Sequence, residues 1–343
     1  GDIAPWSFTS GATVAVYHLG GTTGPAAGMT ENSKITVSSD TAVNGISNLA
    51  VGANDPAGSC SETHGYAAGG YGGADGTGAG SWNIVDRIAF ASVADATDCG
   101  DINYANGSVI GPITGTTNGD KAYFANYMTV ANGNSSGVTG TVFSKYTMSS
   151  NVTASVDLDL GSCHHTPVAY SSNSLATSNT HCYSIGGYIA PSRTDYMSKM
   201  PYASEGSVSD VGNLEVGSGD GSHCCTQNTT HGYKFGGSID GPPAVYDDGR
   251  VSKWSFASDG DATNVGTLLV LPGSSSTNTA SSTTHAYQAG GGYYYKTYTM
   301  SKMDYATEGT LTDVGDLTWA GTGTNGGYGS GTDGTQGAAS MQI

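Results

Sequence analysis

Positive charge is scarce in this chain. Eleven Lys and Arg stand against 28 Asp and Glu, giving a formal net charge of −17. Nucleic acids and anionic membrane surfaces recruit proteins through basic patches, so neither is expected as a partner. Long apolar runs are missing too: none approaches the roughly 20 residues that span a bilayer, and no basic, apolar-cored signal segment is present. No membrane insertion is expected. The chain starts at Gly1 rather than Met, which reads as a processed or excerpted form. Helical periodicity of apolar positions is also lacking, charged residues are only 11%, and Gly supplies 54 of 343 residues. Together these exclude a helical protein and leave short strands joined by turns rich in Gly, Ser, Thr and Asn. Disorder, the competing reading of such a composition, is disfavoured because 21 Tyr and four Trp supply the apolar surface that disordered chains lack.

Cysteine is modest at six residues. Cys99 stands where a matching turn has Val211, and Cys182 where other repeats have Gly65, Gly232 or Ala286, so both read as small core residues. Cys60, Cys163, Cys224 and Cys225 lie in variable segments, and any disulfide would be drawn from them. Cys224, Cys225, His164, His165 and His223 have metal-capable groups but lack zinc-type spacing.

What the chain does have is a repeat. Thr284-His285-Ala286-Tyr287-Gln288-Ala289-Gly290-Gly291 recurs from Thr63 to Gly70, from Thr180 to Gly187 and from Thr230 to Gly237. Weaker copies run from Ala15 to Gly21 and from Lys121 to Tyr127. The anchor tyrosines are Tyr17, Tyr66, Tyr123, Tyr183, Tyr233 and Tyr287, 54 residues apart on average. A period of this length marks a repeat architecture. After each anchor comes a second element with a basic residue at a fixed place: Lys34, Arg87, Lys145, Lys199, Lys253 and Lys302. A catalytic lysine would occur once, so six copies point to a structural role, with the acidic turn that follows (Glu205, Asp259, Glu308) as the expected partner. A third element enters through Asp-x-Gly or Asn-x-Gly, as at Asp98, Asp210, Asn264 and Asp313. Asp and Asn suit such turns through bonds to the backbone; calcium is the functional alternative, although no EF-hand or Gly-Gly-x-Gly-x-Asp pattern is present.

Three or four strands per unit of about 50 residues predict one all-β domain over residues 1–343, a single β-propeller with six blades. A seventh built from both termini is the alternative, but only nine residues separate Phe8 from Tyr17, too few for the missing strands. Thr335-Gln336-Gly337-Ala338 echoes the anchor motif, so a strand over about 335–343 is expected to close the ring, with Trp6 to Ser10 a candidate for the same task. The Gly pairs fit places where backbone turns sharply or approaches a neighbour.

An apolar strand followed by Gly-Gly resembles kelch-like β-propellers. More narrowly, Thr230 to Gly237 with Lys253 to Gly260, and Thr180 to Gly187 with Lys199 to Gly206, resemble the kelch-type repeats of virion and tail-fibre proteins of tailed phages, marine ones especially. Asn126-Tyr127 replaces the Gly pair in the third unit, and the usual kelch tryptophan pattern is absent. The resemblance implies a binding module on a virion surface or outside a cell, a tail-fibre adhesin contacting host surface glycan or protein and other virion proteins. The alternative is a structural decoration or sheath subunit.

Dissimilar insertions from Tyr71 to Trp82, Tyr188 to Tyr196, Ser238 to Arg250 and Gly292 to Tyr298 occupy one place in the repeat and therefore one face of the ring. They hold the candidate ligand-binding residues Trp82, Tyr188, Arg193, Tyr196, Tyr246, Arg250, Tyr293, Tyr294, Tyr295 and Tyr298. Sugar faces stack on aromatic rings, and Arg bonds hydroxyls; loop packing is the plainer role for the same tyrosines. A carbohydrate-active enzyme is a weaker reading. No sialidase box occurs, Arg87 of the three Arg residues sits in a structural position, and the histidines at 64, 181, 231 and 285 repeat with the units. No catalytic residue, metal or other cofactor is assigned.

Overall fold

The computed structural model describes residues 15–19, 29–36, 39–53, 56–61, 63–69, 84–92, 94–101, 114–117, 121–127, 141–150, 157–159, 174–189, 192–205, 208–215, 218–239, 248–269, 278–289, 299–316 and 339–342. These residues form an all-β propeller with no helix among them. Trp6 to Ser10 and Cys163 lie outside the described residues.

Sheet A orders Ala339–Gln342, Ala15–Leu19, Met29–Thr36 and Thr41–Ala53 as its first to fourth strands. Sheet B is Ala57–Cys60, His64–Ala68, Ile84–Ala89 and Thr97–Asp101; sheet C is Thr114–Thr117, Lys121–Tyr127, Thr141–Thr147 and Asp157–Asp159. Sheet D is Ser174–Thr177, His181–Ile185, Tyr196–Pro201 and Ser209–Asn213. Sheet E is Ser218–Gln227, His231–Ile239, Arg250–Ser255 and Thr263–Thr267, with Gly309–Thr310 added in parallel. Sheet F is Asn278–Ser281, His285–Ala289, Thr299–Asp304 and Thr312–Asp316. The C-terminal strand pairs antiparallel with Ala15–Leu19, Tyr17 facing Met341, so the two ends of the described chain meet in one sheet. First strands pack on one another from sheet to sheet: A on B, B on C, C on D, D on E, E on F, and F on A.

Each anchor tyrosine is the second-strand residue directly opposite the basic residue of the third strand: Tyr17 faces Lys34, Tyr66 Arg87, Tyr123 Lys145, Tyr183 Lys199, Tyr233 Lys253 and Tyr287 Lys302. Residues opposite each other in a sheet share a face. That face is pressed against the next sheet, so all six rings are buried at 2% exposure or less. Most anchors meet an aromatic residue three places after the next sheet's basic residue, with centroids 4.8 Å apart for Tyr17–Phe90, Tyr183–Phe256 and Tyr233–Tyr305, and 5.1 Å for Tyr123–Tyr202. Burial pushes the phenols of Tyr183 and Tyr233 up to about 12.

The basic residues do pair with acidic turns, but with those one repeat further on rather than those that follow them in the chain. Lys145 reaches Glu205 of sheet D at 2.6 Å, Lys253 reaches Glu308 of sheet F at 2.6 Å, Lys199 pairs with Asp259, and Lys302 closes back on Asp40 at 2.5 Å. The four acids sit at φ between 45° and 54°, a left-handed turn conformation that aims the carboxylate across the seam. Two seams lack this clamp by sequence: the aligned acid position is Val93 after Phe90 and Asn151 after Met148.

The Thr-His pairs are turn fixtures. Ser61, Ser178 and Ser282 hydroxyls and the Asn228 side chain accept backbone N–H bonds from the following Thr and His. The Thr63, Thr180, Thr230 and Thr284 hydroxyls lie 2.7–2.8 Å from the neighbouring histidine Nδ1. Burial and, secondarily, the cations Arg87, Lys199 and Lys253 hold His64, His181 and His231 below their ordinary value. Burial would raise Glu205, but hydrogen bonds from Lys145, Lys121 and Tyr123 outweigh it and lower its carboxyl. A histidine with a depressed folded value loses stability as pH falls below the unfolded value near 6.5, and a depressed carboxylate does so below about 4.5. The melting temperature measured from about pH 8 to about pH 3 should therefore begin to fall near 6.5 and steepen below 4.5; a maximum on the acid side would contradict this assignment.

Candidate functional site

Antiparallel topology puts the second-to-third connection of every sheet at one end and the Thr-His turns and acid-bearing turns at the other. The insertions thus share a rim, built on repeated geometry. Gly69, Gly186, Gly187, Gly236 and Gly237 have φ between 61° and 128°, which lets the second strand turn out into its insertion. In sheet D the insertion returns through Thr194, whose N–H donates to the Gly187 carbonyl at 2.8 Å; in sheet E it returns through Asp248, whose N–H donates to Gly237 at 2.7 Å. Two residues later each third strand begins, with Tyr196 opposite Asn213 and Arg250 opposite Thr267.

The sheet D insertion forms a short hairpin in which Tyr188 pairs with Arg193 and Ile189 with Ser192. This hairpin packs on the first strand of sheet E. Tyr196 is 44% exposed. Of the candidate residues, the structure brings Tyr188, Arg193, Tyr196 and Arg250 to the same rim of adjacent sheets. Trp82, Tyr246, Tyr293, Tyr294, Tyr295 and Tyr298 lie outside the described residues.

Arg250 is held from behind. Its Nε donates to Asp248 Oδ1 at 2.7 Å, and Asp248 Oδ2 accepts from Lys234 Nζ at 3.0 Å. Lys234 is 1% exposed and Asp248 3%. Burial would raise Asp248, but Lys234 and Arg250 outweigh it and hold the carboxyl below its ordinary value. Burial pulls the Lys234 amine down while Asp248 opposes it. Beside it, Ser252 donates to Glu215 of sheet D at 2.7 Å, tying the base of the insertion to the neighbouring sheet.

Sequence reasoning missed Lys234 and Asp248. The available signal was a lysine outside the repeated basic position, standing between Tyr233 and Phe235 where sister strands carry Ala67, Ser184 or Gln288. A buried lysine requires a carboxylate, and the insertion that follows offers Asp240, Asp247 and Asp248.

The turn aspartates are committed to their own strands. Asp98, Asp210, Asn264 and Asp313 side chains accept from the N–H of Gly100, Gly212, Gly266 and Gly315 at 2.8–3.2 Å. Among the described residues, no three His, Cys, Asp or Glu side chains converge as a metal site. Among the described residues, Cys60, Cys99, Cys182, Cys224 and Cys225 form no disulfide with one another. Cys182 is buried as a small core residue, and Cys99 donates to the Val85 carbonyl at 3.1 Å. The chain matches no protein-family model and no curated protein sequence.

Proposed function

We propose that this protein is a surface-exposed binding module: a six-bladed, kelch-like propeller, carried on a virion or outside a cell, that contacts host surface glycan or protein through its insertion rim. The observation that carries the reading is the division of labour between the two ends of the sheets. One end is spent on repeated turns, histidine contacts and clamps. The other carries dissimilar insertions on a common base, with Tyr188, Arg193 and Tyr196 grouped there. Variation on one rim of a repeated scaffold is how loop-borne binding sites are built. First-strand packing that runs through sheets A to F and returns to A supports six blades. Phage origin rests on the sequence resemblance of the Thr-His-x-Tyr units, and the role needs no cofactor.

The test is an array of bacterial surface polysaccharides probed with the purified chain and with a variant in which Tyr293, Tyr294 and Tyr295 are Ala. Selective retention by the native chain, lost in the variant, is expected. A folded chain that binds nothing on the array or on intact host cells would move the assignment to a structural decoration subunit.

A further inference from the structure

The seam between sheets A and B holds a small pocket with room for one water-sized group, lined by Leu49 and Val51 of sheet A and by Ala67, Gly69, Ile84 and Asp86 of sheet B. Its walls are aliphatic apart from one carboxylate. Asp86 is 4% exposed; its Oδ2 accepts from the Ala50 N–H at 2.8 Å and the Val51 N–H also serves the carboxyl, while Oδ1 is buried with no hydrogen-bond partner among the described residues. Burial pushes the Asp86 carboxyl above its ordinary value, so its charged form is costly until a cation answers it. The nearest charge across the sheet is another carboxylate, Asp98, which faces Asp86 in the strand register.

The sister sheets show what this place accommodates. Asp86 faces Ala67 across the second and third strands of sheet B; the same pair is Ser252 facing Lys234 in sheet E and Ser301 facing Gln288 in sheet F. In sheet F the two side chains bond each other at 3.3 Å. In sheet E the lysine fills the space and its ammonium meets a buried carboxylate. Among its described residues, sheet B has the carboxylate and no side chain to answer it, because Ala67 ends at Cβ. A divalent metal is a poor fit, since Ca²⁺ takes six to eight oxygen ligands and Mg²⁺ an octahedral set.

We propose that the pocket at Asp86 is a receptor site for a primary ammonium group, supplied from outside the chain in the position that Lys234 fills in sheet E. The ammonium head fills the water-sized space and donates to Asp86 Oδ1, and the carbon that carries it stays at the pocket's opening. Free amines and lysine side chains share this chemistry.

The test follows the melting temperature of the whole chain in methylammonium chloride, with tetramethylammonium chloride at equal concentration as a control that carries the charge but has no N–H and is too large to enter. A saturable rise of a few degrees with methylammonium alone is expected, absent in Asp86→Asn. Ala67→Lys, which supplies the ammonium from within, should be more stable than the native chain and unresponsive. Replacing methylammonium by Nα-acetyl-lysine amide separates the sources: a response to both assigns the site to lysine side chains as well, and a response to methylammonium alone restricts it to free amines. The proposal is overturned by equal effects of the two salts, which would mean that water alone occupies the pocket. It is overturned equally by a response that survives in both variants.

Discussion

Replacing Asp248 with Ala should lower stability by roughly 3–5 kcal/mol, the usual cost of leaving a buried charge uncompensated. Among the described residues, Asp248 is the carboxylate shared by Lys234 Nζ and Arg250 Nε, at 3.0 and 2.7 Å, and Lys234 is 1% exposed. Removing the carboxylate leaves the ammonium either charged in apolar surroundings or neutralised against its preference. Removing both partners is a different experiment. Lys234→Met with Asp248→Leu keeps the volume and deletes both charges, and such replacements are often near neutral, within about 1 kcal/mol or better. Denaturant unfolding of the three chains checks this: a large loss in Asp248→Ala that is mostly recovered in the double variant is expected. A loss below about 1 kcal/mol in the single variant would mean the pair is solvated rather than buried.

Gly232→Ala should cost about 1–3 kcal/mol or more, through overpacking. Gly232 faces Trp254 across the second and third strands of sheet E, and a Cβ there would lie 2.1 Å from Trp254 Cζ2. The contact is with a ring packed on Tyr183 and Phe256, so it does not swing away freely. In the sister sheets Ala286 faces Met303, Cys182 faces Met200, Ala122 faces Tyr146 and Gly65 faces Ile88. Trp254, the largest of these partners, faces a residue with no side chain. Trp254→Met introduced into Gly232→Ala recreates the pair of sheet F and removes the buried Trp254 Nε1, which has no acceptor among the described residues. The double variant should recover most of the loss, giving a coupling well above the few tenths of a kcal/mol expected of independent sites. Additive losses would contradict the close approach.

These two residues mark the limit of what the sequence discloses. Tyr17 to Tyr287 and Lys34 to Lys302 were legible as two periodic positions, because each repeat meets the same environment and so keeps the same residue. That each tyrosine stands directly opposite its lysine was not, since register across a pair of strands depends on the length of the insertion between them. The clamps show the same difficulty one level up. In the linear chain Lys199 is followed by Glu205, and proximity suggests that partner; stacking of successive sheets gives it Asp259 instead, 60 residues away. Lys234 and Asp248 were obscured for a third reason: they break the repeat, and a pattern read from what recurs passes over what occurs once. Asp86 belongs to the same class, a carboxylate at a place where sheets D, E and F carry Ser198, Ser252 and Ser301. The candidate rim was legible from the positions of the insertions, whereas the holding of Arg250 by Asp248 requires the folded insertion of sheet E.

On the proposed reading, one end of the sheets carries stability and the other carries binding. The direct measurement is a paired readout, melting temperature and retention on the polysaccharide array, for two chains: one with Tyr293, Tyr294 and Tyr295 changed to Ala on the insertion rim, and one with His231→Ala and Glu308→Gln on the opposite end. The rim variant should lose retention and keep its melting temperature. The other should melt several degrees lower while binding as before at a temperature where it is folded. Loss of binding in the second chain with retention unchanged in the first would place the contact surface on the wrong end and contradict the account.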